Sequence, residues 1–324
     1  MSNDTYTVVS TMKNEGPYIL DWVVHYKTLG FDHILVCTND CTDPTVEILL
    51  RLQELGYVTQ HNTIVRKAGI HRSALRQASR RYDIVMDAKW VFVCDVDEYL
   101  NVHMGDGSVR ALIEGSGEDA DVISVPWRIF GPDGIEALKD APVTEQFTKG
   151  EFEWDEKERP LTGKFVKSIY TNQHKFQRMG LHAPVSLEEH VGDTKRVLPG
   201  GADYVVDGAR TENPPLFTHA QVNHYALRSM ESFLIKRARG RANHSSHVLG
   251  MDYWNKFNLN DEKDKSIDRY KTANRKLVKE LKADKVLGEL HEKAVEWHQR
   301  KAAAMKMDPE MDDLTLALQN SVNS

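Results

Sequence analysis

Residues 90–100 read Trp-Val-Phe-Val-Cys-Asp-Val-Asp-Glu-Tyr-Leu, and this stretch indicates the architecture of the chain around it. Its first five residues are apolar and show no polar alternation, which is typical of a strand buried on both faces of a parallel sheet. Because an unpaired buried charge is costly, Asp95 and Asp97 are expected where this strand leaves the core. That edge is where open α/β sheets bind ligands. Two carboxylates at this spacing would suit Mg²⁺ or Mn²⁺, although a plain acidic turn has the same sequence.

Strand-like and helix-like segments alternate upstream of this stretch. Residues 6–12 and 33–38 are rich in β-favouring residues and are predicted strands. A helix is predicted after Pro17, another over residues 46–55 and a third over residues 72–82, because their apolar residues recur at helical spacing. This alternation predicts right-handed βαβ units and an α/β fold with a mostly parallel sheet.

Polar residues follow three of the predicted strands. They are Lys13, Asn14 and Glu15 after the first strand, residues 39–43 after the second, and residues 95–98 after the strand that begins at Trp90. The carboxyl ends of parallel strands share one edge of the sheet, so these clusters should converge. Any one of them has a plain alternative as a turn or a helix cap, but the convergence of all three favours a ligand site.

The composition excludes several classes of protein. The chain has 324 residues, of which 40% are hydrophobic and 28% are charged, and these are ordinary values for a soluble globular protein. A formal net charge of −6 argues against a nucleic-acid partner. No segment has the length of a transmembrane helix and no signal peptide is visible, while peripheral membrane association stays open. Three cysteines are too few for a disulfide framework, so we expect reduced thiols and a cytoplasmic location.

Downstream of residues 95–98, which we call the acidic cluster, the sequence predicts both strands and helices. Strands are predicted over residues 122–130 and 164–170, and a helix over residues 229–239. Residues 146–160 are charged and lack periodicity, which indicates a loop or lid.

The last part of the chain differs in composition. From about residue 261 it is rich in Lys and Glu, with leucines at helical spacing. This pattern predicts a helical tail, either an appendage or a partner-binding element. We therefore divide the chain into a domain over residues 1–260, with halves near 1–135 and 136–260, and a helical tail over residues 261–324.

Short motifs along the chain occur in an order that resembles one known family. They are Lys13-Asn14-Glu15, Trp22-Val-Val-His-Tyr26, Leu29-Gly30-Phe31-Asp32-His33, residues 39–43, residues 95–99, Trp127-Arg-Ile-Phe-Gly131, residues 163–167, Asn223-His224-Tyr225 and residues 229–240. Together they resemble the family 2-like glycosyltransferases, in the branch related to glycosyltransferase family 92. The resemblance spans roughly residues 7–240 and leaves the tail uncovered. It implies a GT-A fold, a Rossmann-like αβα sandwich, that uses a nucleotide-diphosphate sugar and a divalent cation, Mn²⁺ or Mg²⁺.

The resemblance also implies a role for individual residues. Binding of the nucleotide sugar falls to the polar residues after the first two strands: Lys13, Asn14, Glu15, Asn39 and Asp43. Asp97, with Asp95 beside it, would hold a cation that stabilises the negative charge growing on the leaving diphosphate. The metal shell would be completed by His224, or by His182 as the alternative, although either could be a structural histidine. Trp127 and Gly131 would belong to the acceptor wall.

An inverting transfer also needs a carboxylate base that takes the proton from the acceptor hydroxyl. Family 2 members usually carry this base well downstream of the Asp-x-Asp motif, and the resemblance therefore implies Glu188 or Glu189, although a solvated acidic turn explains them equally well. A retaining enzyme would need no such base. Arg72, near the start of a predicted helix, could bind phosphate. The basic run over residues 236–241 could contact the diphosphate or an anionic acceptor, or could be a solvated helix face.

These observations predict a metal-dependent, inverting glycosyltransferase that acts on a glycan or glycoconjugate acceptor, as in polysaccharide biosynthesis. A nucleotidyltransferase would share the sheet and the carboxylates. That class usually carries a glycine-rich phosphate loop, which Lys13-Asn14-Glu15-Gly16-Pro17 is not. A non-catalytic sugar-binding or partner-binding module with the same fold is the third interpretation, and turnover would separate it from the enzyme.

Overall fold

The computed structural model describes residues 5–117, 119–152, 165–171, 175–204, 206–207, 210–211, 217–239 and 249–323. Its strands are β1 (Tyr6–Met12), β2 (His33–Thr38), β3 (Thr59–Asn62), β4 (Trp90–Val93), β5 (Glu98–Val102), β6 (Val122–Ile129), β7 (Lys149–Gly150), β8 (Val166–Thr171), β9 (Phe176–Arg178), β10 (Val185–Ser186), β11 (Arg196–Val197), β12 (Val206–Asp207), β13 (Arg210–Thr211), β14 (Ala220–His224) and β15 (Glu262–Lys263).

The α-helices are α1 (Ile19–Thr28), α2 (Thr45–Glu54), α3 (Ile70–Arg81), α4 (Asp83–Met86), α5 (Val109–Ser116), α6 (Val143–Gln146), α7 (Met230–Arg239), α8 (Met251–Phe257), α9 (Lys271–Lys282), α10 (Lys285–Lys306) and α11 (Asp312–Asn323). Short 3₁₀ helices lie at Gly16–Tyr18, Glu188–His190, Ser266–Tyr270 and Pro309–Met311. The predicted strands at residues 6–12 and 33–38 match β1 and β2. The predicted loop or lid over residues 146–160 includes β7, which pairs with β15, and residues 153–160 lie outside the described part of the chain.

One nine-stranded sheet organises the molecule, with the order β3-β2-β1-β4-β8-β6-β14-β5 and β11 beside β6. β3, β2, β1 and β4 are parallel neighbours, as are β6 and β14. β8 runs antiparallel between β4 and β6, and β5 runs antiparallel to β14. Every residue of β4 is buried, as its apolar sequence predicts. The prediction of an α/β fold with a mostly parallel sheet is confirmed.

Apolar residues cover both faces of the sheet. Side chains alternate between the faces of a strand, and in β1 Val8 belongs to one hydrophobic cluster while Val9 belongs to a second. Residues of α1 and α2 pack into the first cluster, and residues of α3 pack into the second. The strand ends therefore lie in the middle layer of an αβα sandwich.

The C-terminal helices pack on the core of the sheet. Leu281 of α9, Leu287 and Ala302 of α10, and Leu318 of α11 are buried in the same hydrophobic cluster as Val8. α10 contacts α2, α7 and the 3₁₀ helix Gly16–Tyr18. The predicted helical tail therefore packs against the segment that follows β1 and its polar residues. Within the described ranges, no helix combines the length and the apolar character needed to cross a membrane.

Candidate active site

A cleft of about 790 Å³, which we call the central cleft, opens at the carboxyl edge of the sheet. Eight of the residues that the sequence marks as site candidates line it: Lys13, Glu15, Asn39, Asp95, Asp97, Trp127, His182 and His224. Side chains without an assigned role line it as well: Thr11, His71, Phe165, Asp252, Tyr253, Lys256 and Phe257. The strand ends that the βαβ pattern places along one edge therefore meet in one cleft.

The first two polar clusters are joined by hydrogen bonds. Asn14 has a left-handed backbone with φ 52°, a conformation that Asn tolerates better than most residues. Its Oδ1 accepts from the Thr42 amide at 2.7 Å. The Gly16 amide donates to Asp43 Oδ2 at 3.0 Å. The turn over residues 14–16, which we call the donor turn, is thus supported by the residues that follow β2.

Arg228 joins the donor turn to the acidic cluster. Its guanidinium donates to Glu15 Oε2 at 2.9 Å and to the Val96 carbonyl at 3.0 Å. Burial disfavours the charge of Arg228, but Glu15 and other nearby anions outweigh it and raise the arginine's pKa. Arg239 bonds the second oxygen of Glu15. Two guanidinium groups therefore hold this carboxylate in place.

Each carboxylate of the Asp-x-Asp element has its own lysine partner. Asp95 Oδ2 lies 2.9 Å from Lys167 Nζ, and Asp97 Oδ2 lies 2.7 Å from Lys236 Nζ. Burial opposes the ionisation of both aspartates, but the two lysines outweigh it and hold the pKa of each carboxyl below its usual range. Both aspartates are therefore charged at neutral pH.

His224 faces Asp97 in a geometry that fits a shared cation. Its Nε2 lies 3.8 Å from Asp97 Oδ2, too far for a hydrogen bond but within the span of two ligands that each lie about 2.1 Å from one ion. Burial lowers the pKa of His224 although Asp97 opposes this, so the ring is neutral and can coordinate. His182 points its Nδ1 at the Val166 carbonyl, 2.9 Å away. No group of three or more metal-binding His, Cys, Asp or Glu side chains occurs among the described residues.

Two members of the basic run on α7 reach the central cleft, namely Lys236 and Arg239. Arg239 also donates to the Lys13 carbonyl at 2.8 Å. Arg237 donates to a backbone carbonyl, that of Leu249, and residue 241 lies outside the described part of the chain. Positive charge therefore stands beside the acidic cluster at two points of the helix.

Aromatic side chains form one wall of the cleft. The Trp127 ring centroid lies 4.2 Å from that of His224, 5.1 Å from that of His182 and 5.2 Å from that of Phe165. Tyr253 and Phe257 of α8, with centroids 4.6 Å apart, also line the cleft. The predicted wall residue Gly131 does not line it. A side chain there would meet Leu259 and Asn260, so the glycine allows these two residues to pack closely against the backbone at position 131.

Five further candidates also lie outside the cleft, and one of them is Asn14, whose side chain supports the donor turn. Asp43 is buried beside the donor turn, where His298 of α10 donates to its Oδ2 at 2.8 Å. Arg72 is exposed on α3, and its neighbour His71 lines the cleft with Nδ1 2.8 Å from Thr11 Oγ1. Glu188 and Glu189 are exposed on the 3₁₀ helix Glu188–His190. The structure does not bring either glutamate to the acidic cluster.

The structure also adds residues that the sequence did not single out. Lys167 is completely buried in β8, and a lysine within a run of β-favouring residues is a usable signal for a buried ion pair. Asp252, Tyr253 and Lys256 come from α8, which has only seven residues. That length is too short for a periodic pattern to reveal which face points inward.

The fold and the acidic strand end together define the class of GT-A glycosyltransferases, enzymes that use nucleotide sugars. The sequence model of glycosyltransferase family 92 matches residues 7–231, which is more than half of the 324 residues. The chain belongs to glycosyltransferase family 92. The resemblance drawn from the ordered motifs is thereby confirmed.

Solved structures that match this chain do so at low sequence identity and low TM-score. S. aureus TarS is 14% identical, with a TM-score of 0.32, over 52% of this chain and 28% of that chain, so this chain spans about a quarter of its length. TarS 1-349 is 12% identical, with a TM-score of 0.34, over 94% of this chain and 91% of that chain. Glucosyl-3-phosphoglycerate synthase from Mycobacterium tuberculosis, solved with Mn²⁺, UDP-glucose and phosphoglyceric acid, is 16% identical, with a TM-score of 0.35, over 63% of this chain and 73% of that chain. No curated protein sequence matches this chain significantly.

Proposed function

We propose that this family 92 member transfers a sugar, with inversion, from a nucleotide-diphosphate sugar to a hydroxyl of a glycan or glycoconjugate, and that it requires Mn²⁺ or Mg²⁺. The proposal rests on one juxtaposition: Asp97 Oδ2 lies 3.8 Å from His224 Nε2 and 2.7 Å from Lys236 Nζ. A cation-binding pair beside a lysine suits a diphosphate, because negative charge grows on that leaving group in the transition state. The bound cation would act as a Lewis acid on the diphosphate.

The donor would lie along the polar strand ends. Lys13 and Asn39 line the cleft, and we assign Asn39 to the base and ribose. Lys236 and Arg239 supply positive charge for the phosphates. Asn14 and Asp43 would act indirectly, because their side chains bond to backbone amides and hold the donor turn.

The acceptor would lie against the aromatic wall. Trp127, Tyr253 and Phe257 offer flat apolar surfaces beside polar groups, and such mixed surfaces suit a ligand that combines apolar ring faces with hydroxyl groups.

The base for the inverting step is assigned to Asp252. Among the carboxylates that line the cleft, Glu15, Asp95 and Asp97 are each paired with an arginine or a lysine. Asp252 lines the cleft, is exposed, and has no ion-pair partner among the described residues. A general base needs a lone pair free to receive the acceptor proton. We therefore prefer Asp252 to the sequence-based candidates Glu188 and Glu189, which are outside the cleft.

A thermal-shift screen with UDP, GDP, CDP and TDP, each with and without Mn²⁺ or Mg²⁺, tests the proposal. A ligand that binds only the native state raises its stability by mass action. We expect one nucleotide to raise the unfolding temperature only when a cation is present, and Asp97→Asn to abolish this shift. The exposed Asp193→Asn substitution is the control and should keep it.

Product analysis with the nucleotide sugar of that base completes the test. Release of the nucleoside diphosphate together with a glycosylated acceptor of inverted anomeric configuration is the expected result. In a separate reaction, formation of a nucleotide sugar and pyrophosphate from the nucleoside triphosphate of that base and a sugar 1-phosphate would instead identify a nucleotidyltransferase. No thermal shift with any nucleotide and cation would overturn the proposal in favour of a non-catalytic binding module.

A further inference from the structure

One face of α10 is buried against the rest of the protein and contains histidine and alanine residues. Its buried residues include His291, Ala294 and His298, which lie on one face because they are three, four and seven positions apart. Each histidine meets a carboxylate of the domain: His291 Nε2 lies 2.8 Å from Asp140 Oδ1, and His298 Nε2 lies 2.8 Å from Asp43 Oδ2. These two contacts have the same chemistry but different surroundings.

The contact of His298 leads directly to the donor turn. The Asp43 oxygen that accepts from His298 also accepts from the Gly16 amide at 3.0 Å, and its other oxygen accepts from the Thr45 amide at 3.1 Å. His298 thus positions the Asp43 carboxylate, and this carboxylate in turn holds the donor turn in place. A small cavity of about 10 Å³ is lined by His298 together with Glu15 and Asp97, so the histidine lies close behind the acidic cluster.

A second contact joins the same helix to the same turn. A Cβ atom added at Gly16 would lie 2.6 Å from Ala294 Cβ and 3.0 Å from Asp43 Oδ2. Real Cβ atoms do not approach that closely. The backbone of the donor turn therefore lies directly on α10, and the glycine is required by the helix.

We propose that His298 is a positioning residue for the nucleotide-sugar donor: through Asp43, α10 holds the donor turn in the conformation that receives the nucleotide. The inference rests on the proposed function, because it assigns donor binding to that turn. The buried Asp43 side chain does not line the cleft, so we assign it an effect on the donor through the turn whose Gly16 amide it accepts from. α10 accordingly supports the donor site without touching the donor.

His291 provides a matched control. It is buried to a similar degree on the same helix, and it bonds a carboxylate at the same distance. Its partner Asp140 lies outside the central cleft and makes no hydrogen bond to the donor turn among the described residues. Loss of either histidine should weaken the packing of α10, but only the loss of His298 should disturb the turn.

The probe is whichever of UDP, GDP, CDP and TDP stabilises the full chain most in the presence of Mn²⁺. The experiment measures the dissociation constant of this nucleoside diphosphate. Calorimetric titration compares the parent with His298→Leu, His298→Gln and His291→Leu. The glutamine variant is informative because its amide nitrogen can occupy the position of Nε2. His298→Asn, whose amide nitrogen stops short of that position, replaces the leucine variant if the latter does not fold.

We expect His298→Leu to raise the dissociation constant at least about fivefold, which corresponds to the loss of one ordinary hydrogen bond. We expect His298→Gln and His291→Leu to stay within about twofold of the parent, a change below the energy of such a bond. Equal dissociation constants for His298→Leu and His291→Leu would overturn the inference, whether both are raised or neither is. If the parent itself binds none of the four nucleotides, the proposed function fails instead, and this result is distinct from the first.

Discussion

The Lys167 ammonium lies 2.9 Å from Asp95 Oδ2 although the lysine side chain is completely buried. Lys167 belongs to β8, which runs antiparallel beside β4, so it reaches the acidic end of β4 from the neighbouring strand. Its second partner, Glu98, is 3.1 Å away, and burial raises the pKa of this glutamate to about 8 although Lys167 opposes the rise. Asp95 is therefore the main counterion of Lys167 at neutral pH, and the pair holds the Asp-x-Asp element in place.

Replacing Lys167 by methionine should destabilise the protein strongly. The substitution leaves Asp95, whose side chain is 34% exposed in the cleft, without its cation. We therefore expect a loss of about 1–3 kcal/mol, less than the roughly 3–5 kcal/mol that is typical of a fully buried pair. Denaturation by urea measures the change in the free energy of unfolding. Lys195→Met is the control, because Lys195 and its partner Asp119 are exposed and such pairs contribute little. Equal losses in the two variants would show that the buried pair has no special role.

The position of the acidic cluster could be predicted from sequence, but its partners could not. A buried apolar strand that ends in carboxylates allows only one placement of Asp95 and Asp97, because the core does not accept unpaired charge. The lysine that pairs with Asp95 lies 72 positions later in the chain, and only the order of the strands in the sheet brings it alongside. Local sequence patterns do not predict the order of the strands in the sheet.

The same limit explains why the sequence did not place the candidate base residues or show where the helices of the tail pack. Glu188 and Glu189 were chosen by their distance along the chain, which does not fix distance in space, and they lie outside the cleft. The helical spacing of the tail predicted its secondary structure. It did not predict that His298 would bond Asp43, 255 positions away, because an apolar stripe indicates that a helix packs but not where.

Asp252→Asn should lower kcat with little effect on the affinity for the nucleoside diphosphate. The amide cannot take the acceptor proton, and a positioned general base typically contributes about 10²-fold to 10⁴-fold in rate. Steady-state kinetics of sugar transfer, together with calorimetric titration of the nucleotide, separates the two effects. Glu188→Gln and Glu189→Gln are made in parallel and should keep kcat. A large loss in either of these, with an active Asp252→Asn, would return the role to the sequence-based candidates.

Gly16→Ala should destabilise the fold, and Ala294→Gly should restore part of that loss in the double variant. The added methyl group would lie 2.6 Å from Ala294 Cβ, and overpacking of this kind costs about 1–3 kcal/mol. Ala294→Gly alone should cost about 1 kcal/mol, because glycine is a poor helix former. Urea denaturation of the four proteins gives the coupling energy between the two sites. Strictly additive effects would mean that the turn does not lie on the helix.

The free energy of unfolding should fall as the pH is lowered from about 6.5 toward about 4. His25 is fully buried between Leu100 and Asn274, and burial lowers its pKa from 6.5 to about 4. The unfolded chain therefore takes up the proton first, so the contribution of this histidine is complete above its unfolded pKa and is lost on acidification. At pH ~5 the loss from this group would be at most about 2 kcal/mol.

His25→Gln isolates this contribution, because the amide can keep the hydrogen bond to the Leu100 carbonyl but does not titrate. Urea denaturation across the pH range should show a shallower decline for His25→Gln than for the parent. His33→Gln, at a partly exposed position of β2, is the control and should keep the parent's slope. An unchanged slope in His25→Gln would mean that another group causes the acid sensitivity.

His224→Gln should weaken the binding of Mn²⁺ in the presence of the nucleotide, whereas His182→Gln should leave it nearly unchanged. His224 Nε2 lies 3.8 Å from Asp97 Oδ2, and its neutral ring offers a lone pair that a glutamine amide replaces poorly. His182 has a bond to the Val166 carbonyl, but no carboxylate lies within ion-pair distance of it among the described residues, whereas Asp97 lies at that distance from His224. Electron paramagnetic resonance of free Mn²⁺ measures the bound fraction, and loss of one ligand should reduce the affinity at least about tenfold. The opposite result, with binding lost in His182→Gln and kept in His224→Gln, would assign the metal to the alternative histidine.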